Sequence, residues 1–311
     1  MKSEIATHPP SPDGLKLADI PQAATPYRSG AGFAQTVRWA AERVPLSLWV
    51  GLALTISLLS AAGLAPVLAP HAPDAVLAGP RLDPPNTNHW LGTDALGRDM
   101  LSRVLHGARL ALAGAVLGVG SATILGVPLG MLAGYHGGRL DHLLSRLVEI
   151  WLGLPPLLLA TIFVARTGPS FINALLALGL VSAPSFYRVA RSRVLSIREQ
   201  GYIRAARLLG ASDAHIIARH LLPNSVPSIL VLITTRVGRF ILAGGALTFV
   251  GLGAQPPQPE WGGLLAEGRH YITAAPWLAI YPGVALTLTV LGLNMLGEGL
   301  RDLVDGQSQQ R

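Results

Sequence analysis

The sequence predicts an all-α integral membrane protein with six transmembrane helices. Half of its 311 residues are hydrophobic and only 13% are charged, whereas soluble domains carry about 25% charged residues. Long charge-free apolar runs recur along the chain, and a helix needs about 20 such residues to cross a bilayer. The chain has no cysteine, which excludes disulfides, thiol nucleophiles and cysteine-based metal sites.

The formal charge of +7 comes almost entirely from arginine. The resulting pI of about 10.3 is also typical of proteins that bind nucleic acids. In a membrane protein, however, such an excess usually reflects basic loops on the cytoplasmic side. We therefore expect membrane lipid, and no nucleic acid, among the partners of this chain.

The apolar runs define the predicted domain organisation. Residues 1–44 are polar and rich in Pro, Ala and Ser, so we expect a disordered cytoplasmic tail there. The transmembrane domain is expected at residues 45–305, and a polar tail at 306–311. Pro155 and Pro156 break the third candidate span. The six candidate spans are Leu46–Ala69, Ala108–Tyr135, Val148–Ala165, Phe171–Tyr187, Val226–Val250 and Trp277–Leu296.

The distribution of basic residues predicts the orientation. With six spans, both termini lie on the same side of the membrane, and sixteen of the 24 Lys and Arg residues fall on that side. Six fall on the other side. By the positive-inside rule, both termini are expected in the cytoplasm. The loop 70–107 is then extracytoplasmic, and the polar insert 199–224 is cytoplasmic.

Small residues recur every four positions in the second span. Hydrophobic drive between helices is weak in lipid, so close backbone approach is what holds helices together there. We expect this ridge to be a helix-packing seam rather than a ligand site. Its glycines are Gly114, Gly118, Gly126, Gly130 and Gly134.

The polar, basic insert 199–224 separates two apolar runs. Its first half carries Ile203, Ala206 and Leu209 at helical spacing, so these are expected on one face of a short helix. Gly210 suits the end of that helix, because glycine adopts positive φ without steric cost.

The second half of the insert predicts another short helix. Ser212 or Asp213 can cap its start, and Pro223 is expected to stop it. From these residues alone, the insert is either a loop that lies on anionic lipid or a docking site for a partner.

The insert resembles the "EAA" loop of bacterial ABC-importer permeases, with its fixed glycine and its terminal Leu-Pro. In that family the loop is the coupling helix, which sits in a groove of the ATPase subunit. Arg204 stands where many members have an acidic residue, which alters the charge of the docking site. By this resemblance, the expected ATPase-coupling residues are Tyr202, Ala205, Ala206, Leu209, Gly210, Asp213, Leu222 and Pro223.

The loop 70–107 contains the run HWLGTDALGRD at residues 89–99. Asp94, Arg98 and Asp99 can tie a turn to the following helix through charge-assisted hydrogen bonds. A metal site formed by His89, Asp94 and Asp99 is the alternative. Since their spacing matches no fixed ligand template, no metal site is expected.

The same run closely resembles the LGTDxxGRD signature of one permease subgroup, the C-type subunit of dipeptide, oligopeptide and nickel importers. In that subgroup the loop faces the periplasm and helps to close the translocation path. The residues that carry this outer-loop motif are Gly92, Thr93, Asp94, Gly97, Arg98 and Asp99.

Further motifs occur in the order that the subgroup shows. Residues 133–141 resemble its AGYxGGxxD turn, and residues 247–261, LTFVGLGAQPPQPEW, resemble its Pro-rich loop after the fifth span. Short motifs near the C-terminus also match those of the subgroup. The resemblance therefore covers residues from about 40 to 305. It implies the fold of type I ABC-importer permeases.

The fifth span departs from the family pattern because it contains Arg236 and Arg239. Arginine at membrane depth costs on the order of a few kcal/mol on insertion scales. Arg236 is close enough to the insert to snorkel toward the cytoplasm. Arg239 lies deeper, and we interpret it as facing a water-filled translocation path that favours a substrate with a free carboxylate. Asn294 and Glu298 in the sixth span are weaker candidates for the same path.

The chain contains no HExxH, GxSxG, paired-carboxylate or Walker A motif, so it predicts neither an enzyme nor an ATP-binding subunit. The resemblance implies a permease subunit in the bacterial cytoplasmic (inner) membrane that forms half of a path for di- or oligopeptides or a related small solute. The implied partners are a B-type permease (heterodimer), two P-loop ATPase subunits and a periplasmic solute-binding protein, with no cofactor.

A self-contained secondary transporter is the main alternative. It would show inverted repeats and membrane-buried acids, and the sequence shows no repeat and few such acids. A membrane scaffold would lack the two-helix insert, and an intramembrane enzyme would need a catalytic set within its spans.

Overall fold

The computed structural model describes residues 46–308, with side chains described as far as residue 302. The described residues are helical apart from loops, turns and one antiparallel bridge between Thr93 and Asp99, which confirms the predicted all-α class. The helices are α1 (Leu46–Leu68), α2 (Met100–His136), α3 (Gly138–Leu152), α4 (Pro156–Thr167), α5 (Phe171–Arg198), α6 (Gly201–Leu208), α7 (Asp213–Ile216), α8 (Leu222–Phe249), α9 (Trp261–Gly268) and α10 (Trp277–Ser308).

Five helices of the described chain are long and apolar enough to cross a membrane: α1, α2, α5, the continuous helix formed by α7 and α8, and α10. The third predicted span, Val148–Ala165, is broken at Pro155 and Pro156 as predicted, and α3 and α4 meet there at a bend of 92°. Pro155 adopts an extended conformation at this bend, and Pro156 has no N–H to continue the helix. The helices α3 and α4 make a sixth span only if they are counted together as one.

Polar residues extend several helices beyond their apolar runs. α2 begins at Met100 rather than at Ala108, because the Asp99 side chain accepts a hydrogen bond from Ser102 N–H and caps the helix. α5 likewise continues to Arg198. The apolar run therefore marks the membrane-compatible part of each helix and not its ends.

The predicted terminal segments have different outcomes. The polar tail predicted at 306–311 begins inside α10, which runs to Ser308. The disordered tail predicted at 1–44 lies outside the described residues.

The centre of the bundle is the packing of α2 against α5, with α8 beside them. A Cβ added at Gly126 would lie 2.7 Å from the Phe186 Cβ, and one added at Gly130 would lie 3.0 Å from the Ala190 Cβ. Gly118 similarly makes room for the Phe240 ring of α8. These glycines let the helix backbones approach closely, as is usual for helix contacts in lipid.

α2 also separates the two polar regions of the chain. Its 37 residues give a length of about 55 Å, well beyond the hydrocarbon core of about 30 Å. The loop 70–99 precedes its first turn, and the insert 199–224 packs near its last turn. We call the corresponding ends of the bundle the loop face and the insert face.

Candidate functional site

Gly210 separates the two helices of the insert. Its φ of 84° is a left-handed conformation that glycine adopts without steric cost, and its N–H donates to the carbonyl of Arg207 at 3.1 Å. Ser212, rather than Asp213, caps the second helix, because its Oγ accepts a hydrogen bond from His215 N–H at 3.3 Å. The turn is thus fixed by local backbone chemistry.

The insert has one buried side and one exposed side. Ile203 is 1% exposed, and Ile216 and Leu221 are fully buried in the main hydrophobic core. Leu208 and Leu209, in contrast, are 89% and 88% exposed. The prediction that Leu209 shares a face with Ile203 is wrong, because six residues of α-helix turn by about 600°, which places the two side chains about 120° apart.

The second helix does not stop at Pro223, contrary to the prediction. α7 passes through a π-turn, Ile217–Leu221, directly into α8, and Leu222 N–H donates to the carbonyl of Ile217. Pro223 lies in the first turn of α8, where a missing N–H is tolerated. The insert is therefore continuous with a membrane-spanning helix.

Three polar contacts fix this end of the bundle. The Tyr135 hydroxyl, at the end of α2, donates to the Asp213 carboxylate at 2.5 Å. The Arg207 guanidinium lies 5.4 Å from the centroid of the Tyr135 ring, within range of a cation–π interaction. Arg198 of α5 donates to the carbonyl of Gly134 at 2.7 Å. The insert, α2 and α5 are thereby joined.

Arg204, which departs from the family pattern, is paired locally. It donates to the exposed Glu199 carboxylate at 3.0 Å, and Arg198 lies 3.2 Å from the same carboxylate. These hydrogen bonds, that from Arg204 most strongly, hold the pKa of Glu199 below its ordinary value. The positive charge of Arg204 is therefore partly balanced at the surface of the insert.

The other predicted coupling residues lie on the outer side of the insert or at its junction with α8. Ala206 is half-buried, whereas the rest are exposed. Those exposed residues are Tyr202, Ala205, Gly210, Leu222 and Pro223.

At the loop face, Asp94 and Arg98 form a closed turn. Asp94 Oδ2 accepts from Arg98 Nε at 2.6 Å, and Asp94 Oδ1 accepts from the backbone N–H of Arg98 at 2.9 Å. Arg98 and Arg103 also donate to Glu267 of α9, at 3.0 and 3.2 Å. Both arginines are buried, so this network ties the loop to α9.

The remaining motif residues shape the same turn. Gly92 and Gly97 have φ values of 75° and 72°, in the region that favours glycine. The Thr93 hydroxyl accepts from Asp83 N–H at 2.9 Å. Asp99 Oδ1 lies 2.9 Å from His89 Nδ1, so that one carboxylate both caps α2 and holds the loop.

The alternative trio of His89, Asp94 and Asp99 does not form, because Asp94 is occupied by Arg98. The third ligand-type side chain beside His89 and Asp99 is instead His71. Sequence reasoning did not identify His71, which belongs to no quoted motif.

Two acids at the loop face were also missed. Glu267 supplies negative charge beside the two buried arginines, Arg98 and Arg103. Counting the charges in this part of the sequence could have indicated that the arginines need an acidic partner. Glu260 caps α9 by accepting from Gly263 N–H at 3.2 Å. It is only 4% exposed, and this burial raises the pKa of its carboxyl group.

The residues predicted for a translocation path are only partly brought together. Arg239 of α8 is exposed and Arg236 is half-buried. Asn294 of α10 packs against Gly238, where an added Cβ would lie 2.9 Å from Asn294 Oδ1. Glu298 is exposed, and no ion pair joins it to Arg239 in the described part of the chain.

Comparison with protein families identifies one match. Residues 126–308 match the family described as binding-protein-dependent transport system inner membrane component. This region contains α5, the insert, α8, α9 and α10, and thus most of the helices described above.

Curated relatives extend this similarity over most of the chain. A dipeptide transport system permease protein from Alkalihalophilus pseudofirmus is 44% identical and covers 82% of this chain and 84% of its own length. A probable D,D-dipeptide transport system permease protein from Escherichia coli is 38% identical, covering 94% and 97%. A glutathione transport system permease protein from Pectobacterium atrosepticum is 44% identical, covering 71% and 73%.

Among solved structures, the inward-facing methionine ABC transporter MetNI contains a similar chain. The TM-score is 0.53 at 21% identity, covering 64% of this chain and 94% of the solved one. At this level of identity, the similarity establishes a shared fold.

Proposed function

Because the chain belongs to the family of binding-protein-dependent transport system inner membrane components, we propose that it forms half of a translocation path for di- or oligopeptides. It is a permease subunit of an ABC importer in the bacterial inner membrane and not an enzyme. Such a permease works with an ATPase and with a solute-binding protein. The chain has no Walker A motif, so it depends on its partner for ATP hydrolysis.

The observation that carries the coupling proposal is the exposure of Leu208 and Leu209 on a fixed segment. Both side chains are almost fully exposed, while Ile203 on the opposite side anchors the insert in the core. Burying a leucine side chain stabilises a complex by about 1.5–3 kcal/mol. The pair is therefore suited to fill an apolar groove in the ATPase subunit.

Motion of the ATPase would reach the bundle through the contacts at the insert face. Tyr135, Asp213 and Arg207 connect the insert to α2, and the continuous helix after Ser212 connects it to α8. Gly210 would act as the pivot between the two helices. Closure of the ATPase would thus tilt α2 and α8 together.

The proposed assembly contains this chain, a B-type permease, two ATPase subunits and a periplasmic binding protein. Both termini and the insert are assigned to the cytoplasm, since sixteen of the 24 basic residues fall on that side. The loop face would then meet the binding protein in the periplasm. An ATPase at the insert face would have access to cytoplasmic ATP.

A peptide substrate is supported by the relatives, which are named for transport of dipeptides, D,D-dipeptides and glutathione. The exposed Arg239 adds a positive charge to the middle of α8. A charge at that depth is costly in lipid and is usually directed toward a water-filled cavity. We assign Arg239 to the path, where it would attract the free carboxylate of a peptide.

The test is co-purification of the complex in mild detergent, with an affinity tag on this chain. A double variant, Leu208→Asp with Leu209→Asp, should lose the ATPase while it keeps the second permease. Leu77→Asp is the matched control, because Leu77 is 64% exposed but lies at the loop face. It should retain the ATPase as wild type does.

Two results would contradict the proposal. If the double variant retained the ATPase at the wild-type level, the insert would not be the docking site. If wild type never bound an ATPase and moved solute alone in liposomes, the chain would act as a secondary transporter.

A further inference from the structure

Three side chains with metal-binding atoms converge at the loop face, outside the network around Arg98. His71 follows α1, His89 lies in the loop, and Asp99 caps α2. One ligand atom from each lies within 4.8 Å of the other two. The two imidazole rings are 5.1 Å apart between centroids and inclined by 31°, and His89 Nδ1 is 2.9 Å from Asp99 Oδ1.

The backbone around this cluster holds the three residues in place. His71 N–H donates to Ser102 Oγ at 3.2 Å, and Ser102 Oγ donates to Asp99 Oδ2 at 2.7 Å. Asp99 is fully buried and His89 is 5% exposed. Gly79 lies against the His89 ring, where any larger residue would clash. The positions of the ligand atoms therefore do not depend on flexible surface side chains.

One feature of the cluster is unexplained by protein contacts alone. His71 Nδ1 is buried and has no hydrogen-bond partner in the described chain. Leaving such an atom buried and unpaired is unfavourable. A cation bound between the imidazoles and the carboxylate would satisfy this atom, because neutral imidazole nitrogen is a good metal ligand.

The donor set selects the class of metal. Two histidines and one carboxylate are a ligand set that zinc sites use, with the fourth position open to water, and imidazole also suits copper and nickel. Calcium and magnesium prefer oxygen ligands only. A cavity of about 520 Å³, lined by both His71 and His89, offers an entry route and room for a water ligand.

We propose that His71, His89 and Asp99 bind one divalent transition-metal ion of the zinc type. The ion would connect the end of α1 to the loop and to the first turn of α2, and would stiffen the loop face. Asp94 takes no part, since Arg98 occupies it. This site does not depend on the peptide-import proposal, because no residue of the insert or of the assigned path contributes to it.

The test is Zn²⁺ binding to the purified complex in lipid nanodiscs, by competition with a chromophoric chelator. The affinity tag must contain no histidine. The decisive variant is His71→Phe, because the His71 side chain makes no hydrogen bond in the described chain and its loss leaves the capping bonds of Asp99 intact. His106→Gln is the control, since His106 lies nearby on α2 but outside the cluster.

Wild type and His106→Gln should bind one Zn²⁺ per chain, and His71→Phe should bind at least about tenfold more weakly. Zn²⁺ should also raise the melting temperature of wild type but not that of His71→Phe. Equal binding by wild type and His71→Phe, or no binding by wild type, would overturn the proposal. Zn²⁺ binding does not require transport. A failure of the import proposal would therefore appear as lost ATPase binding, with Zn²⁺ binding unchanged.

Discussion

The hydroxyl group of Tyr135 donates a 2.5 Å hydrogen bond to the carboxylate of Asp213, 78 residues further along the chain. Tyr135 lies in the last turn of the long helix α2, and Asp213 begins the second helix of the insert. The contact joins the AGY turn to the two-helix insert, which sequence comparison treats as separate motifs. It is therefore a direct side-chain connection between the proposed ATPase-docking insert and α2.

Removing this hydrogen bond should weaken the coupling of ATP hydrolysis to transport. Tyr135→Phe keeps the ring under Arg207 but deletes the hydroxyl, at a cost of about 1.5–3 kcal/mol for a bond to a charged group. We expect the amount of peptide imported per ATP hydrolysed to fall several-fold in proteoliposomes. The measurement compares uptake and ATPase activity, each stimulated by the binding protein.

Tyr281→Phe is the control for this prediction, because Tyr281 lies on α10, away from the insert. It should leave the ratio of import to hydrolysis unchanged. An unchanged ratio in Tyr135→Phe as well would mean that the hydrogen bond only stabilises the fold.

Much of this architecture follows from local sequence patterns. Apolar runs located the spanning helices, and four-residue spacing of glycines located the seam on α2, because both depend on the period of a single helix. Gly210 marked the turn of the insert for a similar reason, since only the conformation of one residue is involved.

Features that depend on distant contacts were not predictable in this way. Pro223 was predicted to end the second helix of the insert. Instead, the π-turn Ile217–Leu221 leads directly into α8, which contains Pro223. Glu267 and His71 lie far in sequence from the residues that they contact at the loop face. Without a three-dimensional frame, neither spacing nor periodicity relates such residues to each other.

The seam between α2 and α5 should be sensitive to added volume at one glycine and tolerant at another. A methyl group at Gly126 would press on Phe186, whereas Gly120 on the same helix faces open space. Gly126→Ala should lower stability by about 1–3 kcal/mol through overpacking, and Gly120→Ala should be neutral or stabilise by up to about 1 kcal/mol. Thermal unfolding in detergent compares the two variants.

If Gly126→Ala and Gly120→Ala had the same thermal stability, the packing of α2 against α5 would be looser than described. If Gly126→Ala did not express, Gly126→Ser would replace it in the comparison with Gly120→Ala. We expect Gly126→Ser to lower the stability by a similar amount. A wild-type melting temperature for both Gly126 variants would contradict the packing.

The charge network at the loop face should depend on Glu267. Glu267→Gln removes a carboxylate that contacts both Arg98 and Arg103 and leaves Asp94 as their remaining carboxylate partner. Arg103 is 1% exposed. Because Glu267 itself is partly exposed, we expect a loss of about 1–3 kcal/mol rather than the full cost of breaking a buried pair. The melting temperature of the purified complex reports the change.

Glu149→Gln is the matched control, since Glu149 pairs with Arg146 and both side chains are more than 60% exposed. Such surface pairs contribute about 0–1 kcal/mol. A larger loss of stability in Glu149→Gln than in Glu267→Gln would show that burial does not determine how much these ion pairs contribute.

The charge of Arg239 should affect which peptides are imported. Replacing it by glutamine removes the positive charge that we assign to the path, while Arg166→Gln removes an exposed charge at the end of α4. In proteoliposomes, wild type should import a dipeptide faster than its C-terminal amide, and Arg239→Gln should reduce this preference by about tenfold, or about 1.4 kcal/mol. Arg166→Gln should preserve it. Since the binding protein also selects substrates, the comparison uses the same binding protein throughout and measures its affinity for both peptides separately. If Arg239→Gln kept the wild-type preference, Arg239 would lie outside the path, at the interface with lipid or with the second permease.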